Sequence, residues 1–374
     1  MNSTALRSKD SEEESGVRWG IVGPGSIAHR FADQLSHSRT GRLTAVASRS
    51  LDRARAFAGE YTDPAGVRDA AAPRDAPAPR DAAATAATGI RSYGSYAELF
   101  ADPEVDAVYI ATVHTEHVQG AIDAARAGKH IVCEKPLAVN QAGVFAIVDA
   151  ARTAGVYLAE GYMYRFHPQT AKLVELVRDR AIGELQHVEA SFTYAAELPA
   201  EHRLMNPALA GGGILDVGGY PVSAARLLAG AAVGELFADP VSFTGRGTVG
   251  ATGVDEWASA SLEFRSGISA HVTCGTTIDI GSGIVLYGSA GRITVADPWL
   301  PSVTDGSRIE IARAGAAVTS IRIPGAYQYA LQADALAENL AAGQSPQIMW
   351  ADSIGNARVL DQWRRAIGMR YPFE

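Results

Sequence analysis

From Val17 to Glu160 short apolar runs alternate with stretches of helical periodicity, and few folds accept that pattern. A run buried on both faces belongs in a parallel sheet, and every parallel crossover needs a connecting helix. The runs fall at residues 17–22, 42–48, 105–112, 131–133 and 156–160, with helical segments at 26–35, after Ser50, at 118–127 and at 141–154. Residues 92–100 read as a further helix, stopped by Asp102-Pro103. The class expected is α/β: a doubly wound parallel sheet over residues 17–155 that gathers its ligands at the carboxyl ends of its strands.

The first turn sharpens that expectation. In Gly23-Pro24-Gly25-Ser26-Ile27-Ala28, Gly23 permits a tight turn and Gly25 lets a pyrophosphate approach the backbone. Ala28 stands where a third glycine would allow close helix packing, and the helix start at Ser26 and Ile27 offers N–H groups to an anion. This is the pattern of a Rossmann dinucleotide site. The second strand ends in Ser48-Arg49-Ser50 where an NAD site usually has an acid for the ribose hydroxyl. An arginine flanked by hydroxyls, with Arg53 on the following helix, suits a 2′-phosphate, so NADP is expected, with NAD as the alternative. The same residues also read as a solvated helix start that Asp52 caps.

Thr112 ends the third apolar run and leads into His114-Thr115-Glu116-His117. The two histidines are three apart, but no third ligand is near in sequence, so no metal site is expected. In Ile131-Val132-Cys133-Glu134-Lys135-Pro136 a buried strand delivers a charged pair to the ligand-binding edge, with Pro136 behind it. A lysine there can move protons.

Past Pro168 the pattern changes. A helix at 169–180 and a strand at 185–194 precede a polar stretch, and Gly211-Gly212-Gly213 leads through Asp216 and Tyr220 into a helix ending near Leu228. About seven short strands between 241 and 323 read as a mostly antiparallel sheet, and helices at 328–341 and 353–367 follow. Residues 156–374 are therefore expected to form an α+β domain. Residues 1–16 read as a disordered tail, and residues 62–90, where Ala-Pro-Arg-Asp-Ala occurs twice, as a low-complexity insertion.

A net charge of -8 excludes a basic nucleic-acid footprint, and no apolar run is long enough to span a bilayer. The two cysteines, Cys133 and Cys274, are far apart and read as reduced thiols, so a cytoplasmic location is expected.

Together the glycine turn, Cys133-Glu134-Lys135-Pro136, Arg165 with Pro168, and the triple glycine followed by Asp216 and Tyr220 resemble the glucose-fructose oxidoreductase, inositol dehydrogenase and rhizopine-catabolism (Gfo/Idh/MocA) family. Tyr220, Tyr93-Gly94-Ser95-Tyr96 and the closing Tyr371-Pro372 are similar to its branch of dimeric trans-dihydrodiol dehydrogenases and NADP-dependent aldose dehydrogenases. Val113-His114 stands where the family commonly has Pro-Asn. The resemblance implies hydride transfer between NADP(H) and a small-molecule sugar, polyol or cyclic diol. In it Lys135 is the acid/base, Tyr220 hydrogen-bonds the reacting oxygen and Asp216 orients the substrate. Gly23, Gly25, Ser26, Ile27, Ala28, Ser48, Arg49, Arg53, Thr112, His117, Glu134, Lys135 and Arg165 are implied on the cofactor. Arg165 alternatively braces the two domains. A homo-oligomer, dimer or tetramer, joined through the carboxyl-terminal sheet is also implied. Since the family includes members that bind the dinucleotide without turnover, a regulator or sensor is the alternative.

Overall fold

A computed structural model of the chain describes residues 16–61 and 89–374. The expected tail and the expected insertion lie outside the described residues, apart from Gly16, Gly89 and Ile90.

The first sheet is built from β1 (Val17–Val22), β2 (Gly41–Ala47), β3 (Arg91–Tyr93), β4 (Ala107–Ile110), β5 (His130–Cys133) and β6 (Leu158–Glu160). All neighbours are parallel in the order β3-β2-β1-β4-β5-β6, the arrangement that opens a crevice where the order reverses beside β1. Its helices are α1 (Ser26–Leu35), α2 (Leu51–Glu60), α3 (Tyr96–Ala101), α4 (His117–Arg126) and α5 (Gln141–Ala154). The last of these matches the sequence expectation to the residue, because Asn140 caps its start and Gly155, at φ 68°, ends it. Residues 92–100 do not. Their first two belong to β3, and the helix starts only after Ser95, which with Glu98 forms a capping box. The sheet also extends past the boundary expected at residue 155, since β6 is its edge strand.

Helix α6 (Pro168–Arg178) leads into β7 (Leu185–Ala195), and a π-helical turn at Ile214–Gly218 continues directly as α7 (Gly219–Ala231), every residue of which is buried. Eight strands follow where about seven were expected: β8 (Pro240–Val249), β9 (Asp255–Phe264), β10 (Ser269–Gly275), β11 (Thr277–Ile278), β12 (Gly283–Gly288), β13 (Gly291–Val295), β14 (Ser307–Arg313) and β15 (Thr319–Ile323). With β7 they form a nine-stranded sheet, ordered β15-β14-β13-β12-β7-β10-β9-β8 with β11 beside β7, in which only β7 and β10 run parallel. Strand β9 shows how the two faces differ. Ala258, Ala260, Leu262 and Phe264 are buried, while Trp257, Ser261 and Glu263 are exposed on the other face.

Two closing helices, α8 (Gln328–Glu338) and α9 (Trp350–Ala366), return to the first sheet. The Asp334 carboxylate of α8 accepts from Ser38 Oγ at 2.6 Å, from Thr40 Oγ1 at 2.7 Å and from the Arg39 amide at 3.0 Å, just past α1. Tyr329 meets Phe31 and Tyr109 edge-on, and those two rings stack at 3.9 Å. Further on, Arg364 of α9 donates to Val139 O at 3.2 Å and Tyr371 Oη donates to Gly211 O at 2.6 Å. One apolar core runs from Trp19 and Phe31 of the first layer to Ile309 and Ile311 of the second.

Candidate active site

The strand ends of the first sheet and the inner side of the second enclose a cleft of about 850 Å³. At its floor is the Gly23–Gly25 turn. Gly23 has φ 89°, and a side chain there would press on Thr112 and Ala111, so the turn closes tightly only with glycine. A Cβ at Gly25 would meet nothing, and the first turn of α1 has neither a side-chain cap nor an acid. Gly23 N donates to Ala47 O at 3.0 Å and Gly25 N to Gly23 O at 2.9 Å, so the turn's own amides are engaged and it is the uncapped amino terminus of α1 that suits a phosphate. Ser26 and Ile27 line the same wall, while Ala28 packs in the core.

Ser48, Arg49, Ser50 and Arg53 line the adjoining end of the cleft, and Arg30 of α1, which sequence reasoning did not single out, joins them. The Arg49 guanidinium is 76% exposed and pairs with Glu116 at 2.7 Å. Arg53 reaches Pro24 O at 3.5 Å.

The opposite end collects the charged groups. Lys135 follows β5, and its Nζ donates to the backbone oxygen of Asp216 at 2.5 Å and lies 3.5 Å from the carboxylate. Tyr194 Oη donates to the other carboxylate oxygen at 2.8 Å, and Arg203 approaches at 3.6 Å. Burial would raise the Asp216 pKa, but Lys135, Arg203 and the Tyr194 hydrogen bond outweigh it and hold it down at about 2, so the group is ionised. Arg203 belongs to the loop 195–210, which with Glu201 and His202 reads from the sequence as pocket lining, whereas Tyr194 was not foreseen, since only the fold brings β7 to Asp216.

The Tyr220 ring lies 5.4 Å from Lys135 Nζ and is walled by Tyr162, Phe192 and Trp299 at 5.1–5.7 Å. Its hydroxyl donates to the Met163 sulfur at 3.3 Å, a weak acceptor, and burial pushes its pKa well up, so it stays protonated. Asp216 and Tyr220 are held by the glycine run. The buried Asp255 carboxylate accepts the Ile214 amide at 2.6 Å and caps the turn, while burial raises its own pKa to about 7. A side chain on Gly211 would overlap Leu204 O, and one on Gly212, at φ 109°, would overlap the Asp255 carboxylate.

Glu134 is buried and accepts a hydrogen bond from Tyr109 Oη; burial raises its pKa. His117 contacts two carbonyls, Pro136 O at 2.8 Å and Thr112 O at 3.2 Å, and so ties the Lys135 turn to the loop after β4. Its ring nitrogens are therefore engaged by the backbone while its edge lines the cleft, next to Thr112. His114 also lines the cleft. Burial, reinforced by His117, Lys135 and Arg203, holds its pKa down at about 3, so the neutral ring donates from Nδ1 to Ala210 O at 3.0 Å. Arg165 is not in the cleft wall. Its buried guanidinium contacts Asp352 at 2.8 Å and Ser223 at 3.0 Å, so the cofactor contact implied for it gives way to a brace between the layers. Among the described residues no cluster of metal-ligating side chains forms, and no helix is long and apolar enough to cross a membrane.

Residues 17–162 match a family model described as an oxidoreductase family with an NAD-binding Rossmann fold, and residues 170–294 match the GFO/IDH/MocA C-terminal domain. An uncharacterised oxidoreductase of Rhizobium meliloti is 32% identical over 94% of this chain and 96% of its own. The trans-1,2-dihydrobenzene-1,2-diol dehydrogenase of Mus musculus is 31% identical over 95% and 98%. Among solved structures, a 3-ketoreductase from Actinomadura kijaniata in complex with NADP and TDP-benzene superposes with a TM-score of 0.78 at 27% identity, covering 94% of this chain and 98% of that one. With both layers of the fold and both halves of the sequence matched, the chain belongs to the GFO/IDH/MocA family of oxidoreductases.

Proposed function

We propose that the protein transfers a hydride between NADP(H) and a sugar, polyol or cyclic diol, with Lys135 as the acid/base. The observation that carries this reading is the convergence of Lys135, Asp216 and Tyr220 at one end of a cleft whose other end joins the glycine turn and the uncapped start of α1 to three arginines. The ketoreductase neighbour was crystallised with NADP, and a dihydrodiol dehydrogenase is among the relatives, in line with this cofactor and substrate range.

The uncapped amino terminus of α1, behind the Gly23–Gly25 turn, would hold the pyrophosphate, and Ser48, Arg49 and Arg53 would hold the 2′-phosphate. When bound, the nicotinamide supplies or accepts the hydride. The chain does the rest. Tyr220, whose hydroxyl donates to a thioether, turns that donor to the substrate oxygen, a stronger acceptor. Lys135 takes the hydroxyl proton during oxidation and returns it to the carbonyl oxygen during reduction. Ionised Asp216, fixed by Tyr194, orients the lysine and accepts a neighbouring substrate hydroxyl. The uncovered face of the nine-stranded sheet is the surface through which copies of the chain pair.

Lys135→Met should lower kcat by about 10²- to 10⁴-fold, the usual worth of a general acid or base, with cofactor affinity nearly unchanged. An unaltered rate would refute the role. Aldoses, inositols and trans-diols assayed for NADP reduction identify the substrate, and cofactor binding with no turnover across them would favour the regulator.

A further inference from the structure

Arg49 follows β2, and Glu116 lies in the short helical turn after β4. Because β1 pairs with β2 on one side and β4 on the other, the two residues face each other across the carboxyl end of β1, beyond the glycine turn. Their contact, Arg49 Nη1 to Glu116 Oε1 at 2.7 Å, bridges the mouth of the crevice, and both side chains line the cleft. Arg30 and Arg53 line the same end without an acidic partner within ion-pair distance among the described residues, so Glu116 is the carboxylate that offsets this cationic cluster.

We infer that Glu116 tunes the discrimination between NADP and NAD by competing with the 2′-phosphate for Arg49. The inference rests on the cofactor reading above. A dianionic phosphate beside Ser48 gains Arg49 only by taking it from Glu116 and must tolerate the carboxylate left nearby. A ribose hydroxyl has no charge with which to compete, so NAD leaves the bridge closed. Glu116 therefore weakens the binding of NADP alone. The bridge is largely exposed at Arg49, a class of ion pair whose removal shifts an equilibrium by about fivefold at most.

The test is titration of the purified full-length protein with NADPH and NADH, followed by cofactor fluorescence, for the wild type, Glu116→Gln, Arg49→Gln and the double variant. Glu116→Gln should tighten NADPH about two- to fivefold and leave NADH unchanged, and the gain should vanish when Arg49 is also replaced. An unchanged or weaker NADPH affinity, an equal gain for NADH, or a gain that survives Arg49→Gln would overturn the inference. If the wild type bound neither nucleotide, the cofactor reading itself would fall, and this proposal with it.

Discussion

Glu160 places a titration in the middle of the ordinary working pH range. It ends β6 with its side chain buried, and Oε1 accepts the amide of Leu137, two residues past Lys135, at 2.9 Å. Burial, only partly opposed by the Ser353 hydroxyl, the Leu137 amide and Arg226, pushes its pKa from 4.5 to about 7, with Asp352 pushing the same way. In the unfolded chain the group loses its proton near pH 4.3–4.5, roughly the value of a free glutamate. The folded state holds that proton more tightly, so this contribution to stability is complete below the unfolded pKa and is lost as pH rises through about 7. At about 1.4 kcal/mol per unit, the shift corresponds to ~3 kcal/mol as an upper bound. Glu160→Gln mimics the protonated acid, keeping an acceptor for Leu137 and a donor on the other side. Urea unfolding of both proteins from pH 4.5 to 8 should show the wild type losing up to ~3 kcal/mol more than the variant, most of it above pH 5. Parallel curves would mean that Glu160 is not protonated in the fold at low pH. Asp255 is pushed up to about 7 by burial too, but it is present in both proteins and cancels in the comparison.

Two further changes probe the glycine run and what it carries. Gly212→Ala forces a side chain to φ 109° and displaces the Asp255 carboxylate from the Ile214 amide, so the fold should lose about 2–5 kcal/mol, read as a fall in the urea midpoint, and turnover should fall with it. Tyr220→Phe removes only a hydroxyl bonded to sulfur while the ring keeps its aromatic neighbours, so Tm should hold within a few degrees as kcat falls by ~10²-fold or more, the usual loss of one donor to the reacting oxygen.

Much of this architecture was legible because the deciding signals were local. The glycine turn, the caps of α5 and the buried run before Lys135 each announce themselves within a dozen residues. β3 was hidden because a three-residue edge strand carries little periodicity, although Ser95 and Glu98 did mark where its helix begins. The partners that set the chemistry were not legible. Asp255 explains why Gly212 must lack a side chain, yet it lies some forty residues further along. Tyr194 and Arg203 reach Asp216 only because the π-helical turn packs back against β7 and the loop after it. Arg49 could be read as a phosphate ligand, but its pairing with Glu116 depends on strand order, and Arg165 faces Asp352, on a helix nearly two hundred residues away.

The return of α8 and α9 to the first sheet sets an order of events during synthesis. By the time β6 has left the ribosome every strand of the nucleotide layer exists, but the aromatic face of Phe31 and Tyr109 still lacks Tyr329, and the turn after α1 still lacks Asp334. The loop after Lys135 waits longer for Arg364, and the glycine run for Tyr371. A nascent chain halted between residues 160 and 328 would therefore expose apolar surface that its own later residues are meant to cover, and would depend on chaperones for that interval.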